Sequence, residues 1–222
     1  MTDYYVLHSG GMDSTTALAG VLQQGDARNV VAVGVNYGQR HVKELERAQL
    51  LREHYGVRSC TLDLTGYGAS VHSALTTDGV DVPDGHYAAD TMKITVVPGR
   101  NAVMLAAAAG LAASQTTDGE PITLVAAVHA GDHYIYRDCR PEFIDAMSEA
   151  LFAGVGVSVW APFVNMTKTE IAAYGAEIGV PLHLTWSCYK GREQHCGTCG
   201  TCVERREAFT DAGVPDQTEY DA

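Results

Sequence analysis

Apolar and polar positions alternate in blocks along the chain, and two rhythms recur. Short runs rich in Val, Ile, Leu and Tyr occupy residues 3–8 (DYYVLH), 29–38 (NVVAVGVNYG), 57–64 (VRSCTLDL), 121–131 (PITLVAAVHAG) and 157–163 (VSVWAPF). Their length and composition predict strands, and the near-continuous apolar run at 29–38 is the pattern of a strand buried on both faces. Between them lie stretches of helix-forming composition at 15–25, 41–56, 101–115, 140–154 and 167–179. Gly25 and Gly56 close the first two, as glycine does just past a helix end. The 41–56 stretch is amphipathic, whereas NAVMLAAAAGLAASQ at 101–115 is apolar nearly all round and reads as a buried helix. Strands alternating with helices predict a parallel sheet, because parallel neighbours need crossover connections. The expected fold class is α/β, a Rossmann-like parallel sheet with helices on both faces.

One segment breaks the rhythm. From residue 65 to 98 the chain turns to Gly, Pro, Asp and His, with one short helix expected near 67–75. A stretch of that length without clear structure is usually functional, so a lid or substrate loop is expected here.

Composition narrows the class. A chain of 222 residues fits one large domain with an appendage, and 46% hydrophobic with 19% charged residues is globular composition. No apolar run reaches the roughly 18 residues of a membrane span. The opening MTDYYVLHSGG carries no export pattern, which makes a cytoplasmic location the expectation. A net charge of -12 repels phosphate backbones, so small molecules are expected as partners, with no nucleic acid and no membrane.

The candidate chemistry starts at HSGGMDSTTA, residues 8–17, between the first predicted strand and the first predicted helix. Such a turn leaves unpaired backbone N–H groups aimed at one spot, where the helix dipole also favours negative charge. Gly10 and Gly11 let the backbone approach an anion, and Ser9, Ser14, Thr15 and Thr16 offer hydroxyl donors. Asp13 beside phosphates makes sense with a Mg²⁺ ion between them, or else as a helix cap. The stretch matches neither GxxxxGK[ST] nor GxGxxG. A glycine-rich turn with a capped helix and no ligand is the plain alternative.

Four of the six cysteines, Cys188, Cys196, Cys199 and Cys202, fall within fifteen residues with the spacing C-x7-C-x2-C-x2-C. Four thiolates so spaced suit one tetrahedral Zn²⁺, with no open position and hence a structural role. An Fe–S cluster also takes four cysteines, but the bacterial ferredoxin run continues to a further cysteine after three residues, which is absent here. His195 is expected on the surface, Cys60 in the core, and Cys139 as a buried thiol; His41 and His129 are read as structural.

SGGMDS resembles the SGGxDS signature of the PP-loop ATP pyrophosphatases, which bind ATP at such a turn and split it between the α and β phosphates. NYGQRH (36–41), VPGRN (97–101), YRDCR (136–140) and the closing CYKG…CGTCGTC resemble, in order and spacing, the 7-cyano-7-deazaguanine synthase family. The likeness runs from residue 4 to about 205, with Arg137 standing where the family commonly has Pro. It implies an adenine nucleotide alpha hydrolase-like domain over 1–184 and a small zinc-binding segment over 185–222 packed on it. It also implies a homodimer that converts 7-carboxy-7-deazaguanine, ammonia and ATP to the nitrile. Free ammonia is the nitrogen source expected of a chain too short to add a glutaminase domain.

On that resemblance, residues His8, Ser9, Gly10, Gly11, Met12, Asp13, Ser14, Thr15, Thr16, Ala17 and Leu18 hold ATP. Asp13, Ser14, Arg100 and Lys168 are the catalytic candidates, with Lys168 neutralising charge on departing pyrophosphate and Arg100 meeting a phosphate or a carboxylate. Asp132, Asp138 and Arg140 follow strand four and so fall where a ligand sits in an α/β fold. Each has a bland counterpart: a solvated Lys168 near Glu170, a surface Arg100, and Asp138 as a helix cap. An enzyme that stops at the amide or adenylates another acceptor such as a tRNA base, and a non-catalytic nucleotide-binding module, stay open as alternatives.

Overall fold

Five short β-branched runs pair side by side, all in the same direction, in the order β3-β2-β1-β4-β5. The strands are β1 (Asp3–Leu7), β2 (Val30–Asn36), β3 (Arg58–Asp63), β4 (Ile122–Val125) and β5 (Val157–Trp160). The computed structural model describes residues 2–25, 27–39, 43–77, 79–86, 90–116 and 119–221. His41, expected to be structural, lies outside the described residues.

Helices α1 (Met12–Gln24), α2 (Lys43–Tyr55), α3 (Thr65–Gly68), α4 (Arg100–Gln115), α5 (Pro141–Val155), α6 (Lys168–Glu177) and α7 (Gly200–Asp211) complete the elements. Successive strand residues point to opposite faces, and the core divides accordingly. Tyr5, Val31, Val33 and Leu124 pack with Leu105, Ala108, Ala109 and Ala112 of α4 and Ile144 of α5. Val6, Val30, Ala32 and Val125 pack with Ala17, Leu18 and Val21 of α1 and Ile171 of α6 on the other face. Asp90–Gln115 is long and apolar enough to cross a bilayer by composition, but α4 turns its buried alanines onto the sheet as a core helix.

The chain builds outward from β1 to β2 and β3, then returns to the other side of β1 for β4 and builds outward again to β5. The loops after β1 and β4 therefore part in opposite directions, which opens a crevice at the carboxyl ends of the strands.

The helix expected near 67–75 is instead the single turn α3, followed by a tight bend. Ser73 and Thr76 bind local backbone there: Leu75 N donates to Ser73 Oγ at 3.2 Å, and Thr76 Oγ1 donates to Val71 O at 3.0 Å. Such bonds compete with helix propagation. Much of the 65–98 segment is anchored rather than loose, with Ala74, Leu75, Met92, Thr95 and Val97 buried. Farther along, Asp84 bridges to Cys199 and accepts from Lys190 Nζ at 2.5 Å. Residues 78 and 87–89 of the segment lie outside the described residues.

After the cysteine-rich stretch comes α7, which packs against α6. Its Arg205 is fully buried and donates to Thr218 Oγ1 and Thr185 Oγ1, both at 2.9 Å, and to Leu182 O at 2.7 Å. The guanidinium also lies over the Phe209 ring, 4.9 Å from its centroid. Arg205→Met strands these acceptors away from water, and a loss of about 2–4 kcal/mol is expected. A fall in urea midpoint at unchanged denaturant slope is the reading that checks it.

Candidate active site

Gly10 of the β1–α1 turn is left-handed, with φ +86°, and a Cβ there would lie 2.5 Å from Ala48 N and 2.8 Å from Glu44 O of α2. Only glycine fits both constraints. Gly11 takes the N-cap position of α1 in extended conformation and has no side chain to cap with, leaving the helix N-terminus facing the cleft. Ser9 and Ser14 join hydroxyls across the turn at 3.1 Å.

A buried cation holds the turn from beneath. Arg52 of α2 donates from Nη2 to His8 O at 2.8 Å and from Nε to His8 Nδ1 at 3.3 Å. The imidazole proton is therefore on Nε2, 3.2 Å from Thr15 Oγ1, and Thr15 Oγ1 donates onward to Gly11 O at 2.8 Å. Arg52 lies against Gly34 of β2, where a Cβ would collide with the guanidinium. Burial, with Arg52 second, pushes His8 down to about 3.

This network corrects part of the expected nucleotide set. Thr15 and Thr16 are fully buried, and their hydroxyls are spent on Gly11 O and Met12 O, both at 2.8 Å. Ala17 and Leu18 belong to the core between α1 and the sheet. These four support the turn from behind. His8, Ser9, Gly11, Met12, Asp13 and Ser14 line the cleft itself.

Opposite the turn stands a cluster of charges. Thr167 caps α6 through a reciprocal capping box with Glu170, which leaves Lys168 free of that glutamate and turned to the cleft. Lys168 Nζ lies 2.5 Å from Asp13 Oδ2, 3.7 Å from Glu204 Oε2 and 3.5 Å from His129 Nε2. Burial opposes the ammonium charge, but Asp13 and Glu204 outweigh it and the net shift is upward. Burial pushes the Glu204 carboxyl up, against the pull of Lys168 and His129. His129, read from sequence as structural, faces Asp132 Oδ2 at 3.6 Å, and its Nδ1 accepts from Gly131 N at 3.1 Å. Asp13 Oδ1 is buried without a hydrogen-bond partner among the described residues.

The far end of the cleft is built around Arg100, the first residue of α4, with Tyr37, Asn101 and Tyr189 beside it. Burial disfavours its charge, yet the facing phenols of Tyr37 and Tyr189 bring the net shift upward. Burial pushes Tyr37 to about 12. Cys139 is buried near Asn101 Nδ2 at 3.2 Å, and burial pushes its thiol up, which keeps it a poor nucleophile.

Two substrate candidates fall outside this lining. Asp138 Oδ2 accepts from Asn101 N at 3.1 Å, so it caps α4 from a distant loop. Arg140 donates to His133 O at 2.9 Å at the start of α5. Both brace the wall behind the cleft, because the loop carrying them curls back under α4. Arg137 is exposed on the same loop and outside the lining. Asp132 does line the cleft.

Four sulfurs, of Cys188, Cys196, Cys199 and Cys202, lie within 4.8 Å of one another, all buried. Cys196 Sγ and Cys202 Sγ are 3.9 Å apart. A Zn–S bond of about 2.3 Å gives a tetrahedral edge of about 3.8 Å, so the donor set fits such an ion. Amides of Cys196 and Cys199 point at Cys188 Sγ at 3.4 Å and Cys196 Sγ at 3.2 Å. His195 is not a surface residue: it is buried against Trp186, with ring centroids 4.2 Å apart, and its Nε2 accepts from Ser187 N at 3.1 Å. Trp186 N in turn donates to Gly10 O at 2.9 Å, tying this segment to the turn.

Glu204, Arg52 and Trp186 were not singled out from sequence. Glu204 sits in VERREAF, two residues past the last cysteine, where charge and spacing read as an ordinary solvated helix face.

His8 gives the site a pH signature. The unfolded chain takes a proton there near pH 6.5, and the folded chain refuses it until about pH 3. Its stabilising contribution is complete above pH 6.5 and drains as pH falls, by up to about 1.4 kcal/mol per unit. From pH 7 to 5, wild type should lose about 2 kcal/mol more than His8→Gln in denaturant titrations. Equal losses in the two proteins would sink this account.

Residues 4–213 match the family model described as Queuosine biosynthesis protein QueC. The chain is 49% identical over 220 residues to the 7-cyano-7-deazaguanine synthase of Allorhizobium ampelinum, covering 97% of this chain and 91% of that one. Against the synthase of Brucella anthropi the identity is also 49% over 220 residues, covering 97% and 92%. The U34-tRNA thiolase NcsA from Methanococcus maripaludis with its 4Fe-4S cluster matches at TM-score 0.51 and 14% identity, over 97% of this chain and 73% of that one, a likeness of fold alone. With its turn, its cysteine segment and nearly its whole length accounted for, this chain belongs to the QueC family of queuosine biosynthesis.

Proposed function

We propose that this chain uses ATP to convert 7-carboxy-7-deazaguanine and ammonia into 7-cyano-7-deazaguanine. The observation that carries the reading is Lys168 paired with Asp13 at the open N-terminus of α1, in a chain 49% identical to synthases of that name.

Neither carboxylate oxygen leaves unaided, so each is first made part of an adenylate. A carboxylate oxygen attacks the α phosphorus of ATP and pyrophosphate departs; ammonia then attacks the acyl carbon and AMP departs, leaving the amide. The amide oxygen is adenylated in the same way, and loss of AMP with the remaining N–H protons gives the nitrile. The uncapped amides of α1 and the Ser9 and Ser14 hydroxyls cradle phosphate oxygens, and Lys168 stabilises charge gathering on pyrophosphate. Arg100 takes the acceptor's carboxylate in its planar fork, with Tyr37 and Tyr189 beside it. Asp132 accepts from the N–H groups of the base. Asp13, whose buried Oδ1 has no hydrogen-bond partner among the described residues, would hold a Mg²⁺ ion, which would supply charge neutralisation to the phosphates. The cysteine cluster holds a structural Zn²⁺, making 185–222 an appendage of the same domain rather than a separate unit. None of the six cysteines is joined in a disulfide, in keeping with a reducing, cytoplasmic setting. The second subunit of a homodimer suits α5, which leaves Phe152 and Val155 in solvent and fully buries only Ile144.

A product assay by mass spectrometry with ATP, Mg²⁺, ammonium and 7-carboxy-7-deazaguanine tests the reaction. Nitrile together with AMP is expected, with Asp13→Ala and Lys168→Met each slowed by roughly 100-fold or more. Amide without nitrile would point to the truncated reaction, and untouched ATP would refute the assigned acceptor. Light scattering should return twice the 23.7 kDa chain mass, and metal analysis one zinc per chain.

A further inference from the structure

Lys168 meets charged groups from every element around it. Asp13 comes from α1 at 2.5 Å, His129 from the loop after β4 at 3.5 Å, and Glu204 from α7 at 3.7 Å, with Asp132 behind His129 at 3.6 Å. A buried ammonium persists only with anionic partners close by. Asp13 and Asp132 ride on elements that the sheet itself fixes. Glu204 reaches the site by another route.

Helix α7 starts at Gly200 with Cys199 at its N-cap and Cys202 in its first turn. Two of the four clustered thiols therefore set where α7 begins and how it is rotated. One residue beyond Glu204, Arg205 locks the rotation from the other side through Leu182, Thr185 and Thr218. Between these two constraints the Glu204 side chain is delivered into the cleft, largely buried, beside Lys168. With Asp13 alone, Nζ would be neutralised one to one and drawn onto a single carboxylate. A second carboxylate on α7 holds it between two elements.

We propose that Glu204 is a positioning residue for Lys168, held in register by the four-cysteine cluster, so that the metal segment and the nucleotide-splitting site act as one mechanical unit. This rests on the reading of Lys168 as the group that serves the phosphates. It gives the cysteine cluster a consequence for catalysis in addition to stability.

The test exploits the four lysines of the chain, Lys43, Lys93, Lys168 and Lys190. Trace acetylation with acetic anhydride at pH 9, followed by peptide mass spectrometry, reads how readily each amine is reached by the reagent. Glu204→Gln should raise Lys168 acetylation by about three- to tenfold, because the amine is no longer held between carboxylates on two elements, and leave the other three unchanged. Glu207→Gln, an exposed carboxylate on the same helix, should match wild type. Stripping the cluster's metal from wild type with a chelator should reproduce the rise. In the product assay Glu204→Gln should lower kcat by about tenfold without raising the KM for ATP, and add no further loss in a Lys168→Met background. Unchanged Lys168 acetylation in a folded, metal-loaded Glu204→Gln protein overturns the proposal, as does an independent multiplicative loss in the Lys168→Met background. If Glu204→Gln does not fold, Glu204→Asp takes its place, and acetylation equal to wild type on metal removal overturns the proposal. The acetylation reading needs no acceptor, so a wild-type enzyme that makes no nitrile would refute the assigned reaction and leave this measurement intact.

Discussion

The glycine turn between β1 and α1 depends on a cation laid beneath it. Arg52 crosses the missing side chain of Gly34 and binds both the carbonyl and the ring of His8. From there a single chain of hydrogen bonds runs through Thr15 to the carbonyl of Gly11. Each member must be in one protonation state and one rotamer for the next to bond. The backbone amides of α1 are thereby aimed before any anion arrives, which is what preorganised electrostatic catalysis requires. A buried arginine and a neutral histidine serve that aim.

Across the cleft the logic is reversed. Instead of one charge buried with dipoles, there are three carboxylates against one lysine and one imidazole. The two sides suit the two halves of the chemistry. In the proposed reaction, fixed dipoles cost nothing to reorganise as the phosphorus is attacked, whereas a lysine shared among carboxylates can be drawn off by the more highly charged pyrophosphate. Arg100 of α4 and its tyrosines line the same cleft, on segments other than the helices that carry Asp13 and Lys168.

Much of this was legible in the sequence, for identifiable reasons. The parallel sheet follows from runs of β-branched residues separated by helical stretches, and each predicted strand is present, with β4 and β5 shorter than their apolar runs. The glycine turn and the cysteine spacing are local patterns, so they are visible wherever they occur. The positions of Lys168 and Arg100 in the cleft lining follow from their opening helices at the carboxyl edge. What was not legible is long-range. Arg52 is forty-four residues from His8, and only the placement of α2 over β2 turns an amphipathic-looking arginine into the turn's support. Asp138 was misread because its partner is the start of α4, thirty-seven residues earlier, rather than its own helix. Thr15 and Thr16 look like ligands in a string of hydroxyls until the helix rotates them into the core.

Trp186 is the residue whose amide closes on Gly10, and it is separated from that turn by nearly the whole chain. All five strands precede this residue in the order of synthesis. Until the last segment arrives, Gly10 lacks its clamp, α6 lacks α7, and Lys168 lacks one of its carboxylates. The clamp on the turn and the second carboxylate at Lys168 are therefore the last parts of the cleft to be synthesised, and the order of the chain puts the sheet before the charge arrangement it carries.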